Sequence, residues 1–470
     1  MRAALVAIAL AFAASSSGAL DAPDGLGARL DASLNARALR GARVAVRVES
    51  ESGRVLYERS GDVALAPASN LKVLTALAAL RALGPTHTFE TRVLATRAPD
   101  AQGSVETLYV RGGGDPALTS EDLWRLASDL RRAGLRRVKQ GIVLDDSYFD
   151  SVRWNPAWGP VTARAYYAPI GALTVNYGAY SVVVSPAEAT GEAPRVLVDP
   201  PVPFLHVTNQ ARTGPQRAAH TLRVERRALP RGEEVVVSGT LAKGSPPETS
   251  PRSVLDPTGY FGAMLELQLE AIGIAVEGEV RPGGVPADAA EILAFHGAPL
   301  SDVLRRFLKF SNNQIGEALV KALGARATGR PGSWQNGLAA MRAELESAGL
   351  PLAGSVLLDG SGLSHENRAS PRLLVAALRT ARESFEYGAE FEAGLPIAGA
   401  DGTLERRAAR AGPRVRAKTG LLTRVSGLSG YARLASGERV VFSILVNGFR
   451  GSPHGVMRAV DGFAAALVAD

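Results

Sequence analysis

Apolar and polar positions alternate over residues 43–48, a Glu51-Ser52-Gly53 turn follows, and alternation resumes over 54–58, which predicts a β-hairpin near the start of the chain. After Pro67 the period changes. Leu71, Leu74, Leu77, Ala78 and Leu80 fall on one helical face, so a helix is predicted from about Ser69 to just before Gly84 and Pro85. Residues 91–250 carry short alternating segments broken by Gly and Pro, including Gly112-Gly113-Gly114-Asp115-Pro116, and read as inserted, mainly β structure. The Ser-, Pro- and Gly-rich stretch 239–253 is the expected return linker. Helical periodicity resumes over 256–273, 300–309 and 315–323. Strand-like runs at 414–418, 427–434 and 439–446, with a Ser436-Gly437 turn, precede a final helical segment at 457–468.

Strands early and late with helices between them predict one sheet assembled from both ends of the chain. The expected architecture is an α/β (α+β) domain made of residues 20–90 and 251–470, interrupted by an insert at 91–250 containing two nested subdomains. A length of 470 residues favours two or three domains. No internal repeat at solenoid spacing is visible.

Composition changes this picture in three places. Hydrophobic residues at 46% and charged residues at 21% are globular values, and no stretch after the N-terminus has the run of about 20 apolar residues that a membrane span needs. Arg2, an apolar segment over residues 3–14 and small residues over 15–19 read as an export signal at 1–19, which places the mature protein in the periplasm or outside the cell. Cysteine is absent, so neither a disulfide framework nor a lipid-bearing thiol is available. The net charge of +7 rests almost wholly on arginine; it suits an anionic polymer or surface, or reflects a general arginine preference. The six histidines show no zinc-ligand spacing and no nucleic-acid module appears, so no metal, cofactor or nucleic-acid partner is expected.

Only six lysines occur, and two stand in telling places. Lys72 closes the run Ser69-Asn70-Leu71-Lys72, and Lys418 opens Lys418-Thr419-Gly420; Ser311-Asn312-Asn313 lies between them. An ammonium can lose its proton when desolvated whereas a guanidinium cannot, so lysine is the cation a serine nucleophile can use as a base. Six lysines give about 0.4 chance matches to Ser-x-x-Lys but only about 0.03 to Lys-Thr-Gly, so the second motif carries more weight. Singly, each has an ordinary alternative: Ser69 a helix cap, Ser311 a loop cap, Lys418 an edge-strand charge. In this order, at a helix start, before a helix and at a strand, they predict a serine acyl-transferase. Ser69 is the expected nucleophile and Lys72, one turn on, its base. Ser311 is the expected proton relay, and Asn313 the amide that holds a peptide. Lys418 is expected to point into the cleft, and Gly420 to leave room for a substrate strand.

These motifs resemble those of the low-molecular-mass class C penicillin-binding proteins, the D-alanyl-D-alanine carboxypeptidase/endopeptidase group of the penicillin-binding protein 4 type. The resemblance extends to residues 67–80, 112–119, 145–150, 359–368 and 395–404, and to the 242 positions separating Ser69 from Ser311, room for that group's large insert. It implies hydrolysis of D-alanyl peptide bonds of peptidoglycan through an acyl-enzyme on Ser69, with peptidoglycan peptides and β-lactam antibiotics as partners. It also implies that Lys418 keeps Lys72 neutral and attracts the substrate carboxylate, that Thr419 offers a hydroxyl, and that the N–H groups of Ser69 and Leu421 form the oxyanion hole. Two positions depart from the pattern: Leu421, where the group commonly has a hydroxyl residue, and Asn312, where it has Asp. The rival readings are a β-lactamase, for which no compact acidic motif is visible, and a non-catalytic wall-binding or penicillin-sensor protein. A histidine-dependent protease is disfavoured because no Gly-x-Ser-x-Gly elbow occurs. Gly112–114 lacks the Gly-Lys-Ser/Thr of a phosphate cradle and reads as a turn.

Overall fold

The computed structural model describes residues 25–469, so the predicted export signal lies outside the described residues. The central antiparallel sheet has five strands in the order Val415–Leu422, Val425–Arg433, Arg439–Asn447, Arg43–Ser50, Val55–Arg59. The two chain ends therefore meet at its middle, where Arg43–Ser50 pairs in full register with Arg439–Asn447.

Each face of this sheet is apolar and each is covered. Leu26 and Leu30 from one terminal helix join Val456, Val460, Phe463 and Leu467 from the other over the first face. Over the second lie the helices Lys72–Leu83, Leu300–Lys309, Asn313–Thr328, Trp334–Ser347 and Pro371–Glu383. The helix Lys72–Leu83 was expected to bury one face only. It is instead buried on all sides through Leu80, because other helices surround it, and Gly84 at φ 81° ends it.

A second core fills the insert, whose sheet runs in the order Glu279–Pro282, Gly141–Asp145, Leu108–Arg111, Glu90–Ala95, Ala290–His296. Two sequence expectations are corrected here. The insert does not return at residue 250, since the strands Glu279–Pro282 and Ala290–His296 pair with Gly141–Asp145 and Glu90–Ala95. The expected linker 239–253 contains the strand Glu248–Ser253, paired with Ala179–Ser185. The insert is mainly β, as expected, with two helices, Ser120–Arg132 and Pro257–Ala271, packed into its core and started by a Thr119/Asp122 capping box and by Asp256 accepting from the Thr258 and Gly259 N–H groups. Residues 179–253 hold three smaller sheets, interposed along the chain between strands of this larger one.

The insert is fastened to the helical layer beside the sheet. Lys321 donates to Asp150 and to the Val152 carbonyl, both at 2.6 Å, and Asn155 Nδ2 donates to the Leu358 carbonyl at 2.8 Å. These ties bring the aromatic segment around Trp158–Tyr167 against the start of the helix Asn313–Thr328 and against the loop that carries Asp359.

Candidate active site

From Leu65 to Leu80 every residue is buried except Ser69, which is half-buried. Its exposure follows from a tight local bend: Ala68 sits at φ 48°, and Ala68–Leu71 forms a 3-10 turn leading into the helix Lys72–Leu83. A left-handed alanine is costly and persists only where packing imposes it. Gly362 supplies part of that packing, because a Cβ there would lie 1.9 Å from the Ala68 carbonyl oxygen. Asn70 Nδ2 braces the bend from below by donating to the Pro67 carbonyl at 2.9 Å.

Lys72 Nζ lies 2.9 Å from Ser69 Oγ, 2.8 Å from Asn313 Oδ1 and 2.6 Å from the Ser361 carbonyl oxygen. The last two groups can only accept; the Asn313 amide is oriented by its Nδ2, which donates to the Tyr166 carbonyl at 3.1 Å. A neutral amine has two N–H bonds and one lone pair, so those two acceptors use its hydrogens and the lone pair is left for the Ser69 hydroxyl. Burial pulls the Lys72 pKa down to about 7, against the opposing pull of Asp359 and Glu317. The amine is therefore substantially neutral near neutral pH.

Asp359 and Glu317 are fully buried, and burial raises both carboxyl groups above their ordinary range. Each is held by several donors. Asp359 accepts from the Gly362 and Ser364 N–H groups at 2.7 Å and from Asn367 Nδ2 at 2.9 Å. Glu317 accepts from Trp334 Nε1 at 2.7 Å and from the Gly360 N–H at 3.1 Å. Together they fix the loop that offers the Ser361 carbonyl to Lys72. No motif announces a backbone carbonyl, and the sequence reading missed all three groups; the run Asp359-Gly-Ser-Gly was the available signal, since a carboxylate before glycines suits a loop folded onto its own N–H groups.

The other predicted residues are less uniformly placed. Asn313 opens the helix Asn313–Thr328 and touches Lys72, while Asn312 turns its side chain to cap that helix through the Ile315 N–H at 3.2 Å. Ser311 stands at φ 58°, and no hydrogen bond joins its hydroxyl to Ser69, Lys72 or Lys418. The motif Lys418-Thr419-Gly420 lies inside the strand Val415–Leu422 rather than at its end. Lys418, expected as a charge bordering the groove, is fully buried and donates to the Thr419 carbonyl at 2.9 Å. Burial first, then the neighbouring charges of Lys72 and Arg407, depress its pKa well below the usual lysine value. Thr419 Oγ1 donates to Thr403 Oγ1 at 2.8 Å.

Gly420 needs a different explanation from the expected one. A Cβ there would lie 2.4 Å from Asn70 Nδ2 and 2.9 Å from the Pro67 carbonyl oxygen, so the missing side chain makes room for the bend that carries Ser69. Gly427, its cross-strand partner, faces the same Asn70 amide. Gly420→Ala is expected to push the bend outward and slow acylation by penicillin about 100-fold, because displacing a reacting group by about an ångström costs that much. Stopped-flow acylation beside a melting curve checks this; an unchanged rate would show that the bend tolerates displacement.

The strand Val415–Leu422 is the outermost of its sheet. Its edge is covered early, where the Ala417 N–H donates to the Pro396 carbonyl at 2.9 Å and the Ala398 N–H to the Val415 carbonyl at 3.0 Å. Backbone groups alternate sides along a strand, so the Leu421 N–H points to this same edge, beyond the covering segment. Leu421 is 46% exposed. It shares with Ser69, Asn313, Trp158, Tyr166 and Leu363 a cleft of about 520 Å³.

The model of the D-Ala-D-Ala carboxypeptidase 3 (S13) family matches residues 26–467. The D-alanyl-D-alanine carboxypeptidase of Actinomadura sp. (strain R39) is 40% identical over 464 residues, covering 93% of this chain and 85% of that protein. D-alanyl-D-alanine carboxypeptidase DacB of Haemophilus influenzae is 30% identical, covering 84% and 83%. Among solved structures, penicillin binding protein 4 (dacB) of Haemophilus influenzae superposes with a TM-score of 0.80 at 26% identity, over 93% of this chain and 98% of that one; it has also been solved complexed with a novel β-lactam. A likeness of this extent takes in the central sheet, its helices and the insert alike, and with it the chain belongs to the D-Ala-D-Ala carboxypeptidase 3 (S13) family.

Proposed function

We propose that this serine-type D-Ala-D-Ala carboxypeptidase cleaves stem peptides and D-alanyl cross-links of peptidoglycan by two acyl transfers through Ser69, and that penicillins trap the first of them. The carboxypeptidase class follows from the family and its curated relatives. The observation that carries the mechanism is the Lys72 lone pair left facing the Ser69 hydroxyl.

Ser69 Oγ attacks the carbonyl carbon of the penultimate D-alanine while its proton passes to Lys72 Nζ. The negative oxygen that develops meets the N–H groups of Ser69 and Leu421, each worth about 100- to 1000-fold in rate. The proton travels by way of Ser311 to the departing amine, the C–N bond breaks, and water then hydrolyses the ester on Ser69. Asn313 holds the peptide and keeps Lys72 in place. The terminal carboxylate is met by Thr419 and Lys418; an arriving anion favours the protonated amine, so substrate itself restores the charge that burial withdraws from Lys418. Cross-link cleavage is the same chemistry with a larger leaving amine. This substrate lies outside the cell membrane, in keeping with export, and no helix among the described residues is long and apolar enough to cross a membrane.

Mass spectrometry of muropeptides tests the reading. Pentapeptide monomers should lose one terminal D-alanine, and D-alanyl-linked dimers should resolve into monomers. Loss of D-alanine with dimers left intact would confine the enzyme to trimming, and no change in either would remove the substrate class.

A further inference from the structure

The arginine excess noted in the sequence is not spread evenly. A recess of about 420 Å³ at the far end of the strand Val415–Leu422 is lined by Arg382, Arg414, Arg416, Arg433 and Arg439, with Glu392 as the one carboxylate among its lining residues. Glu51 adds a second, bridging Arg382 at 2.7 Å and Arg439 at 3.8 Å. Five guanidiniums thus face two carboxylates, an excess of three positive charges.

The donors are also incompletely used. Among the described residues the Arg414 and Arg433 side chains have neither a hydrogen bond nor an ion pair, and Arg416 meets Glu392 only at 3.9 Å. Arg382 lies over the Tyr431 ring at 5.3 Å, and its Nη1 is buried without a partner. Planar arginine forks match the oxygens of a phosphate, and the Arg414, Arg416 and Arg433 forks are the ones left to meet it.

Beside the recess stands the most exposed large apolar side chain of the described residues. Phe385 is fully exposed, in the short link between the helices Pro371–Glu383 and Gly388–Gly394, and those two helices contribute Arg382 and Glu392 to the recess. A basic recess alone suits any polyanion. With an aromatic ring held in solvent next to it, the combination suits a surface that is anionic outside and apolar beneath.

We propose that this end of the sheet is a peripheral docking site for an anionic phospholipid surface, with headgroup phosphates entering the arginine recess and the Phe385 ring entering the acyl boundary. The residues from Val415 to Leu421 span roughly 20 Å as a strand. Docked at its arginine end, the enzyme holds its cleft that far from the lipid, turned toward material beyond the membrane.

Vesicle co-sedimentation of the full chain tests the site. The protein should bind phosphatidylglycerol-containing vesicles and not phosphatidylcholine vesicles, with binding reversed by salt. Arg433→Ala and Arg414→Ala should each weaken it about fivefold. Phe385→Ser should weaken it about tenfold with little change in salt sensitivity. Hydrolysis of a small soluble D-alanyl-D-alanine peptide, measured on the same samples, should stay at the unmodified level in all three variants, which separates failure of docking from failure of the proposed chemistry. Equal binding to both vesicle types overturns the proposal. So does binding of inorganic phosphate or poly(glycerol phosphate) without binding to vesicles, which would mark an anion or wall-polymer site.

Discussion

Ser69→Ala is expected to abolish covalent labelling by fluorescent penicillin and to cut hydrolysis of D-alanyl-D-alanine peptides at least about 10⁴-fold. Everything else in the cleft acts on a bond that only this oxygen can form, so no partial activity should survive through a neighbouring hydroxyl. Ser69 is half-buried and removing its oxygen leaves Lys72 two of its three polar contacts, so the melting temperature should move by no more than about 2 °C. Full labelling of the variant would transfer the nucleophile elsewhere. In the unmodified protein the label should persist for minutes. Among the described residues lining the cleft none is acidic, and the buried carboxylates of Glu317 and Asp359 are occupied by N–H donors of their own. A deacylating water therefore has no carboxylate base beside it. Release within seconds would point to a β-lactamase.

The meeting of Ser69, Lys72 and Asn313 was more legible in the sequence than the architecture around it. The proximity of Ser69 and Lys72, 2.9 Å between Oγ and Nζ, was readable because residues three apart at a helix start lie on one face, a spacing set by local geometry alone. The hairpin Arg43–Ser50 and Val55–Arg59 was equally local. The insert boundary was not, because Glu279–Pro282 finds its place by pairing with Gly141–Asp145, far earlier in the chain, and pairing at that separation leaves no mark in either segment's periodicity. Within the site the same division holds. Glu317 reads as one charge on an apolar helix, and only the packed structure shows its carboxylate binding Trp334 and the Gly360 N–H beneath Lys72. At Gly420 the sequence suggested room for a substrate strand, whereas the space a side chain would fill belongs to Asn70 and Pro67.

Lys72 should make acylation depend on pH in a way that separates base catalysis from simple charge. With its pKa drawn down to about 7 by burial, about half of the amine is neutral at pH 7 and roughly one part in a hundred at pH 5, so kcat/KM is expected to drop about 50-fold between pH 7 and pH 5 and to level off above pH 8. Stability should follow the same group with the opposite cost. The unfolded chain holds its proton up to the ordinary lysine value of 10.5 whereas the folded one releases it near 7, so the unfolded state binds more protons between those values and stability rises with pH across that window. Lys72→Ala should slow acylation about 10³-fold and abolish the low-pH limb, the size expected for losing a positioned general base. Lys72→Arg is the sharper variant. A guanidinium keeps the positive charge but cannot give up its proton, so it should be as slow as the alanine variant if the amine works as a base. Recovery of most of the rate by arginine, measured as penicillin acylation across pH 5 to 9, would mean that Ser69 is activated by a nearby charge and that the neutral-amine geometry has no catalytic meaning.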